Sequence, residues 1–278
     1  MFASLGSLSS LKTLEIVGFD WIVSIGAEFY GSNSSSFVSL ERLEFRNMKE
    51  WEEWECKTTS FPQLQYLFVD QCHKLKGLSE QLLHLKELFI SNCDKLIISG
   101  NNMDTSSLEL LRIYACPLVI IPVTHYDLLE EMMIDGVLDS LTIFPLDFFP
   151  KVSLLELGRC QNLRRISQEY AHNRLKKLKV DNCPQFESLP SMQIMLPSLT
   201  ELRIINCGEV KMFPDGGLPS NVKHLSLSSC KLIASLTETN TCLESFSRTF
   251  WLPQPPMLTR GGSPPIHLIS LYLELSIA

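Results

Sequence analysis

Nine cysteines in a chain of 278 residues are the first candidates for chemistry, since thiolates ligate soft metals, attack electrophiles and pair as disulfides. Seven of them, Cys72, Cys93, Cys116, Cys160, Cys183, Cys207 and Cys230, recur one or two repeat lengths apart. None forms the CxxC cluster that a zinc site shows. Phe19, Met48 and Val137 stand at the equivalent positions of other repeats, which marks the position as an apolar slot. A small buried side chain whose weak S–H donor serves a turn accounts for all seven. Unpaired thiols in turn imply a reducing compartment. His73, His84, His125, His172, His224 and His267 are scattered over different repeats, and five of them fall in predicted turns or return segments, where solvated histidines are expected. Glu130 and Glu131 are adjacent, so a strand would send their carboxylates to opposite faces, a poor arrangement for acid/base work. The phosphate loop GxxxxGK[ST], GxSxG and HExxH are all absent from the sequence. No catalytic, cofactor-binding or metal-ligating residue is therefore assigned, and the chain is expected not to be an enzyme.

The cysteines lie inside a phrase whose clearest copy is FPQLQYLFVDQCHKLKGL, residues 61 to 78, with the pattern LxxLxLxxCxxLxxL. Taking the second leucine of LxxLxL as a phase marker gives Leu14, Leu43, Leu67, Leu88, Leu111, Met132, Leu155, Leu178, Leu202 and Leu225. Successive markers are 21 to 29 residues apart, the window of leucine-rich repeats. A second apolar residue follows two positions later in every copy, the period of a strand with one buried face. The predicted architecture is an α/β repeat solenoid, a leucine-rich-repeat horseshoe with a parallel concave sheet of about ten strands. Prolines in the return segments, as in Ser188-Leu189-Pro190 and Phe144-Pro145-Leu146, predict a convex side of extended chain and short 3-10 turns. Two segments, SEQLLHL (Ser79 to Leu85) and ISQEYAHN (Ile166 to Asn173), are long enough for two helical turns each.

The positions flanking each marker should point outward on the concave sheet. They include Tyr66, Phe68, Phe89, Leu110, Met133 and Leu154, side chains that a purely solvated face does not need. With Arg112, Lys179 and Arg203 they form the candidate partner-binding surface, because contiguous exposed apolar area marks interfaces. The block MKEWEEWE (Met48 to Glu55) is open to two readings, a second docking surface or two tryptophans packed over the convex face under a solvated acidic strip.

The net charge of −7 and pI near 5.4 argue against sequence-independent nucleic-acid binding. No apolar run approaches the roughly 18 residues of a membrane span. The N-terminus lacks the charged region and apolar core of a signal peptide, and the sequon at Asn33 is too short a pattern to place the chain outside the cell. Two domains are expected, a solenoid over residues 1–236 and a divergent tail over 237–278. In the tail WLPQPPMLTRGGSPP has no period, while Leu268, Leu271 and Leu273 return to strand phase, Leu271 lying 46 residues, or two repeats of 23, past Leu225.

The phrases LKTLEIVGFDWIVSIGAEFYG, SLERLEFRNMKEWEEWE, SLTIFPLDFFPKVSLLELGRCQNL and CPQFESLP, with the copy at 61–78, carry a more specific resemblance. Over residues 1 to about 236 the chain resembles the C-terminal leucine-rich-repeat region of plant nucleotide-binding leucine-rich-repeat disease-resistance proteins, within them the coiled-coil subclass found in legumes. The resemblance implies a cytoplasmic immune receptor whose repeats sense a pathogen effector or a guarded host protein. It also implies that the repeats hold the receptor's nucleotide-binding domain at rest. The phosphate loop of that domain is not in this sequence, so nucleotide binding does not carry over, and the tail departs from the family's repeats. The other readings are an extracellular leucine-rich-repeat binding protein and a truncated remnant of a resistance gene. The first of these carries an NxLxGxIP turn and paired cap cysteines that this sequence lacks.

Overall fold

Leucine at the marker and an apolar residue two positions on can be buried together only if the chain between them is extended. Each LxxLxL phrase accordingly forms a short strand. The structure is a computed structural model. It describes residues 5–30, 36–55, 60–79, 82, 84–98, 106–121, 125–136, 141–214 and 217–228, with the backbone of 247–251 and 272–276. After a 3-10 turn at Leu5–Ser7 come β1 (Thr13–Val17), β2 (Ser24–Ile25), the single-turn helix α1 (Ala27–Tyr30), β3 (Arg42–Arg46) and β4 (Glu53–Trp54). The middle of the chain holds β5 (Tyr66–Asp70), β6 (Glu87–Ser91), β7 (Leu110–Tyr114), β8 (Glu131–Asp135), β9 (Ile143–Pro145) and a 3-10 turn at Leu146–Phe148. Then follow β10 (Leu154–Gly158), β11 (Arg165–Ser167), β12 (Lys177–Asp181), α2 (Met192–Met195), β13 (Glu201–Ile205), β14 (His224–Leu227), β15 (Ser247–Trp251) and β16 (Tyr272–Ser276).

Ten of these strands stack in the order β1-β3-β5-β6-β7-β8-β10-β12-β13-β14, all parallel. The register never slips: Leu43, Leu67, Leu88 and Leu111 stand directly opposite one another in successive strands. This is the leucine-rich-repeat horseshoe that the spacing predicts. Along each strand start the ladder is continued by one carbonyl that accepts two N–H groups of the next coil, as Gln65 does from Lys86 and Glu87. On the convex side β2 pairs with β4 and β9 with β11, both parallel, so the return segments make short ladders of their own.

The strand residue two past the marker is followed, two positions further on, by a turn in the left-handed backbone region. Gly18, Asn47, Gln71, Asn92, Ala115, Gly136, Arg159, Asn182 and Asn206 hold it, with φ between 48° and 72°. Each N–H of this series up to Asn182 still donates to a carbonyl of the next strand, at 2.8 to 3.1 Å. The left-handed residue thus adds a last rung to the sheet while turning the chain inward. Glycine and asparagine, which tolerate this region best, fill six of these nine positions.

The turn delivers the next residue into the core. Cys72, Cys93, Cys116, Cys160, Cys183 and Cys207 are buried there and form no disulfide, and Met48 fills the same slot. Each thiol donates to the carbonyl two residues before it, Cys93 to Ser91 at 3.2 Å and Cys116 to Tyr114 at 3.2 Å. Phe19, in the first coil, is partly buried against the core, and the slot's remaining members Val137 and Cys230 lie outside the described residues. Inside the wider first coils, Phe29, Phe37, Phe45 and Phe61 pack with Trp51 and Trp54. Trp51 is fully buried, its Nε1–H donating to the Glu53 carbonyl, and Trp54 donates to the Tyr30 hydroxyl at 2.8 Å. The tryptophans of MKEWEEWE are core, and the docking reading of that block falls away.

Three expectations need correction. ISQEYAHN is not helical. Ile166 is buried opposite Phe144 in β11, and the Gln168 amide holds the following bend by donating to the carbonyls of Tyr170 and Met195. His172 is not solvated: its Nε2 donates to the Phe149 carbonyl while Nδ1 accepts from the Leu175 N–H, which ties two coils together. The tail strand does not continue the parallel stack, because β16 runs antiparallel to β14 and β15 antiparallel to β16. Part of SEQLLHL lies outside the described residues.

Candidate functional site on the concave sheet

Strict register converts each outward strand position into a column running across the sheet, and two such columns carry all nine residues of the candidate surface. One column reads Tyr66, Glu87, Leu110, Glu131 and Leu154 across β5, β6, β7, β8 and β10. Its neighbour reads Phe68, Phe89, Arg112, Met133, Glu156, Lys179 and Arg203. Every one of the nine is partly exposed.

Their contacts divide the surface. Phe68 and Phe89 stack with centroids 4.5 Å apart and planes 16° from parallel. On its other side Phe68 is covered by the Arg46 guanidinium, 4.2 Å from the ring centre, while Arg42 lies 3.5 Å over Tyr66. Stacked rings and cation–π contacts of this kind immobilise side chains before any partner arrives. Leu110, Arg112 and Met133 continue the patch. Lys179 and Arg203 do not join it. Lys179 reaches Glu201 at 3.5 Å and Arg203 holds Asp181 at 3.0 Å, in a separate ionic zone.

Four further residues belong to the surface, Arg42 and Glu44 within the two columns and Tyr114 and Arg46 beyond them. Tyr114 ends β7 in a third outward column, 5.6 Å from Phe89, and its hydroxyl donates to the Met133 sulfur at 3.5 Å. The strands run one residue longer than the two buried positions imply, which is the signal that would have found it. Arg42, Arg46 and Glu44 form the other addition. Glu44 is 6% exposed although its position alternates outward. Arg42 donates to one of its oxygens at 2.6 Å and Arg46 to the other at 2.6 Å. Burial pushes the Glu44 pKa up, but the hydrogen bonds and charge of Arg46 and Arg42 outweigh it and hold the carboxyl below its ordinary value. Glu44 thereby fixes both guanidiniums against the rings.

Burial first, and the charges of Glu156 and Asp135 after it, raise the pKa of Tyr114 against the opposing charge of Arg112. Tyr66 is likewise raised, by burial and by Glu44 and Glu87 against the opposing pull of Arg42. The thiols of the column are shut away from reagents by burial, and at Cys72 that burial pushes the pKa up to about 12, so its nucleophilic form is scarce at neutral pH. Among the described residues no three His, Cys, Asp or Glu side chains converge to hold a metal ion, and no helix is long and apolar enough to cross a membrane.

A relative in Arabidopsis thaliana named for disease resistance, RPP13-like protein 1, is 30% identical over 223 residues, which is 73% of this chain and 19% of the relative. The probable disease resistance protein RF45 of the same plant is 25% identical over 228 residues, 80% of this chain and 20% of its own. The chain is a leucine-rich-repeat array of the plant disease-resistance type. A third such relative, the probable disease resistance protein RF9, is 28% identical over 146 residues, 48% of the chain and 14% of the relative. The resistance-type array thus spans about a fifth or less of the length of these relatives. No protein-family model matches the chain, and no solved structure matches it.

Proposed function

We propose that this array is the protein-recognition module of an intracellular plant immune receptor, binding a pathogen effector or a guarded host protein through its concave sheet. The observation that carries the reading is the aromatic and aliphatic patch from Tyr66 to Met133, half-exposed and pre-ordered on a rigid sheet. Rigid aromatic anchors lose little entropy on binding and dominate interface energetics. The module binds and does not catalyse, and within a longer receptor it also contacts the nucleotide-binding domain. Six buried thiols that form no disulfide suit the reducing cytoplasm.

The test is proximity labelling in leaf cells with the array as bait, wild type against the Phe68→Glu/Phe89→Glu double variant. A buried core left untouched should keep the melting transition of the double variant, and its labelled partners should disappear. An unchanged partner set with the fold intact would refute the concave site.

A further inference from the structure

The concave sheet is electrically polar along the solenoid axis. Over β5 to β10 the outward carboxylates are Asp70, Glu87, Glu131, Asp135 and Glu156. Within these coils Arg112 and, on the adjoining turn, Arg159 oppose them, Arg112 reaching Glu131 at 3.3 Å and Arg159 holding Asp135 at 2.5 Å; from β3 the charges of Arg42 and Arg46 act on Glu87 and Asp70, while both guanidiniums stay tied to Glu44. Glu87 stands between Tyr66 and Leu110 with no cation in ion-pair reach among the described residues. Over β12 and β13 the sign reverses. Lys177 and Lys179 share the single carboxylate of Glu201 at 3.6 and 3.5 Å, and Lys176 and Lys223 stand exposed where β12 and β14 begin. The chain as a whole is acidic, so this basic zone is a local arrangement of charge.

We propose that the concave sheet takes a polypeptide segment of opposite polarity, its basic residue over the aromatic patch beside Glu87 and its acidic residue over Lys177 and Lys179. This rests on the concave-site reading above and adds the chemistry of the partner. Phe68 is covered by Phe89 and by Arg46, and Phe89 is flanked by Phe68 and by the tilted Tyr114 ring, so a partner meets chiefly their edges. The aliphatic stem of a lysine or arginine covers such edges while its head group reaches a carboxylate at the margin. An aspartate or glutamate laid over the patch would instead meet five carboxylates, of which Glu131 and Asp135 are ion-paired. β6 and β12 are four strands apart in the sheet, which at about 4.8 Å per strand sets the two charges roughly 19 Å apart. An extended peptide crossing the strands spans that in about six residues at roughly 3.3 Å each.

The experiment pans random sixteen-residue peptides displayed on phage against the full chain, then measures the winners on wild type, Glu87→Lys, Lys177→Glu and Phe89→Glu, each checked for an unchanged melt. Enriched peptides should carry Lys or Arg and Asp or Glu about six residues apart. Each charge inversion should weaken them about tenfold, and inverting the matching peptide charge should restore binding. Winners that are lost on Phe89→Glu but ignore both inversions would overturn the dipolar partner and leave the concave site standing. Winners indifferent to all three variants would overturn both. A library with no enrichment over its starting pool would also overturn the proposal.

Discussion

Replacing Ala115 with glycine should stabilise this protein, although alanine-to-glycine exchanges usually do the reverse. Ala115 occupies the left-handed turn after β7 with φ 50°, where its Cβ crowds the following carbonyl. That conformation costs an L-residue about 1–2 kcal/mol. Glycine removes the cost but loses more backbone freedom on folding, about 0.4–1 kcal/mol. The Ala115 Cβ is partly exposed, so little packing is lost, and the N–H bond to the Asp135 carbonyl at 2.9 Å is kept. The net gain should be about 0.5–1 kcal/mol, read as a rise in the urea midpoint at unchanged slope, or as a melting point higher by about 1–4 °C. Ala115→Asn should gain less, and Ala115→Val should lose stability, since a β-branched residue fits positive φ worst. Ala171, exposed and outside the left-handed set, supplies the control: there the change to glycine should destabilise. A lower midpoint for Ala115→Gly, or the same response at 115 and 171, would refute the idea that the turn column stores backbone strain.

Further outcomes follow from the buried groups. Glu44 is held charged in the folded chain below its ordinary pKa, so its contribution is present above the unfolded carboxylate value and fades as pH falls through the folded one; Glu44→Gln should flatten the loss of stability on acidification below about pH 4.3. Trp51→Ala should cost about 3–5 kcal/mol in a denaturant titration, since it empties a fully buried site and orphans the Glu53 carbonyl. Native-state alkylation at pH 8 followed by mass spectrometry should leave Cys72 and its column unmodified until denaturant is added; fast labelling of the folded chain would contradict their burial.

The parts of the fold that obey one-dimensional spacing were legible. Marker, strand and cysteine slot repeat at fixed offsets, so Leu67, Val69 and Cys72 are core in the structure as in the sequence. The outward placement of the candidate residues was legible in the same way, because a column is only a spacing carried across the sheet, whereas the separation of Lys179 and Arg203 into an ionic zone was not. What spacing cannot register is which side chains pair, within a strand or between coils. Glu44 alternates outward and reads as solvated, yet two arginines flanking it on its own strand close over its carboxylate. His172 sits in a return segment and reads as exposed until the Phe149 carbonyl of the preceding coil is brought beside it. Strand direction is also invisible to a period of two, which is why β16 shows the right alternation but runs the wrong way.

The unbroken register of the ten parallel strands has a consequence for heredity. The coils present their neighbours with nearly the same joint: an inward leucine, or Met132 in β8, opposite its counterpart, a doubly accepting carbonyl, a left-handed rung and an apolar side chain in the slot. A crossover that gains or loses one whole unit therefore joins surfaces that already fit, whatever the length of the return segment it carries. Such an exchange shifts the columns of the concave sheet against one another by one strand. Coding sequence that recombines between coils can redraw the binding surface in a single event and leave the core intact.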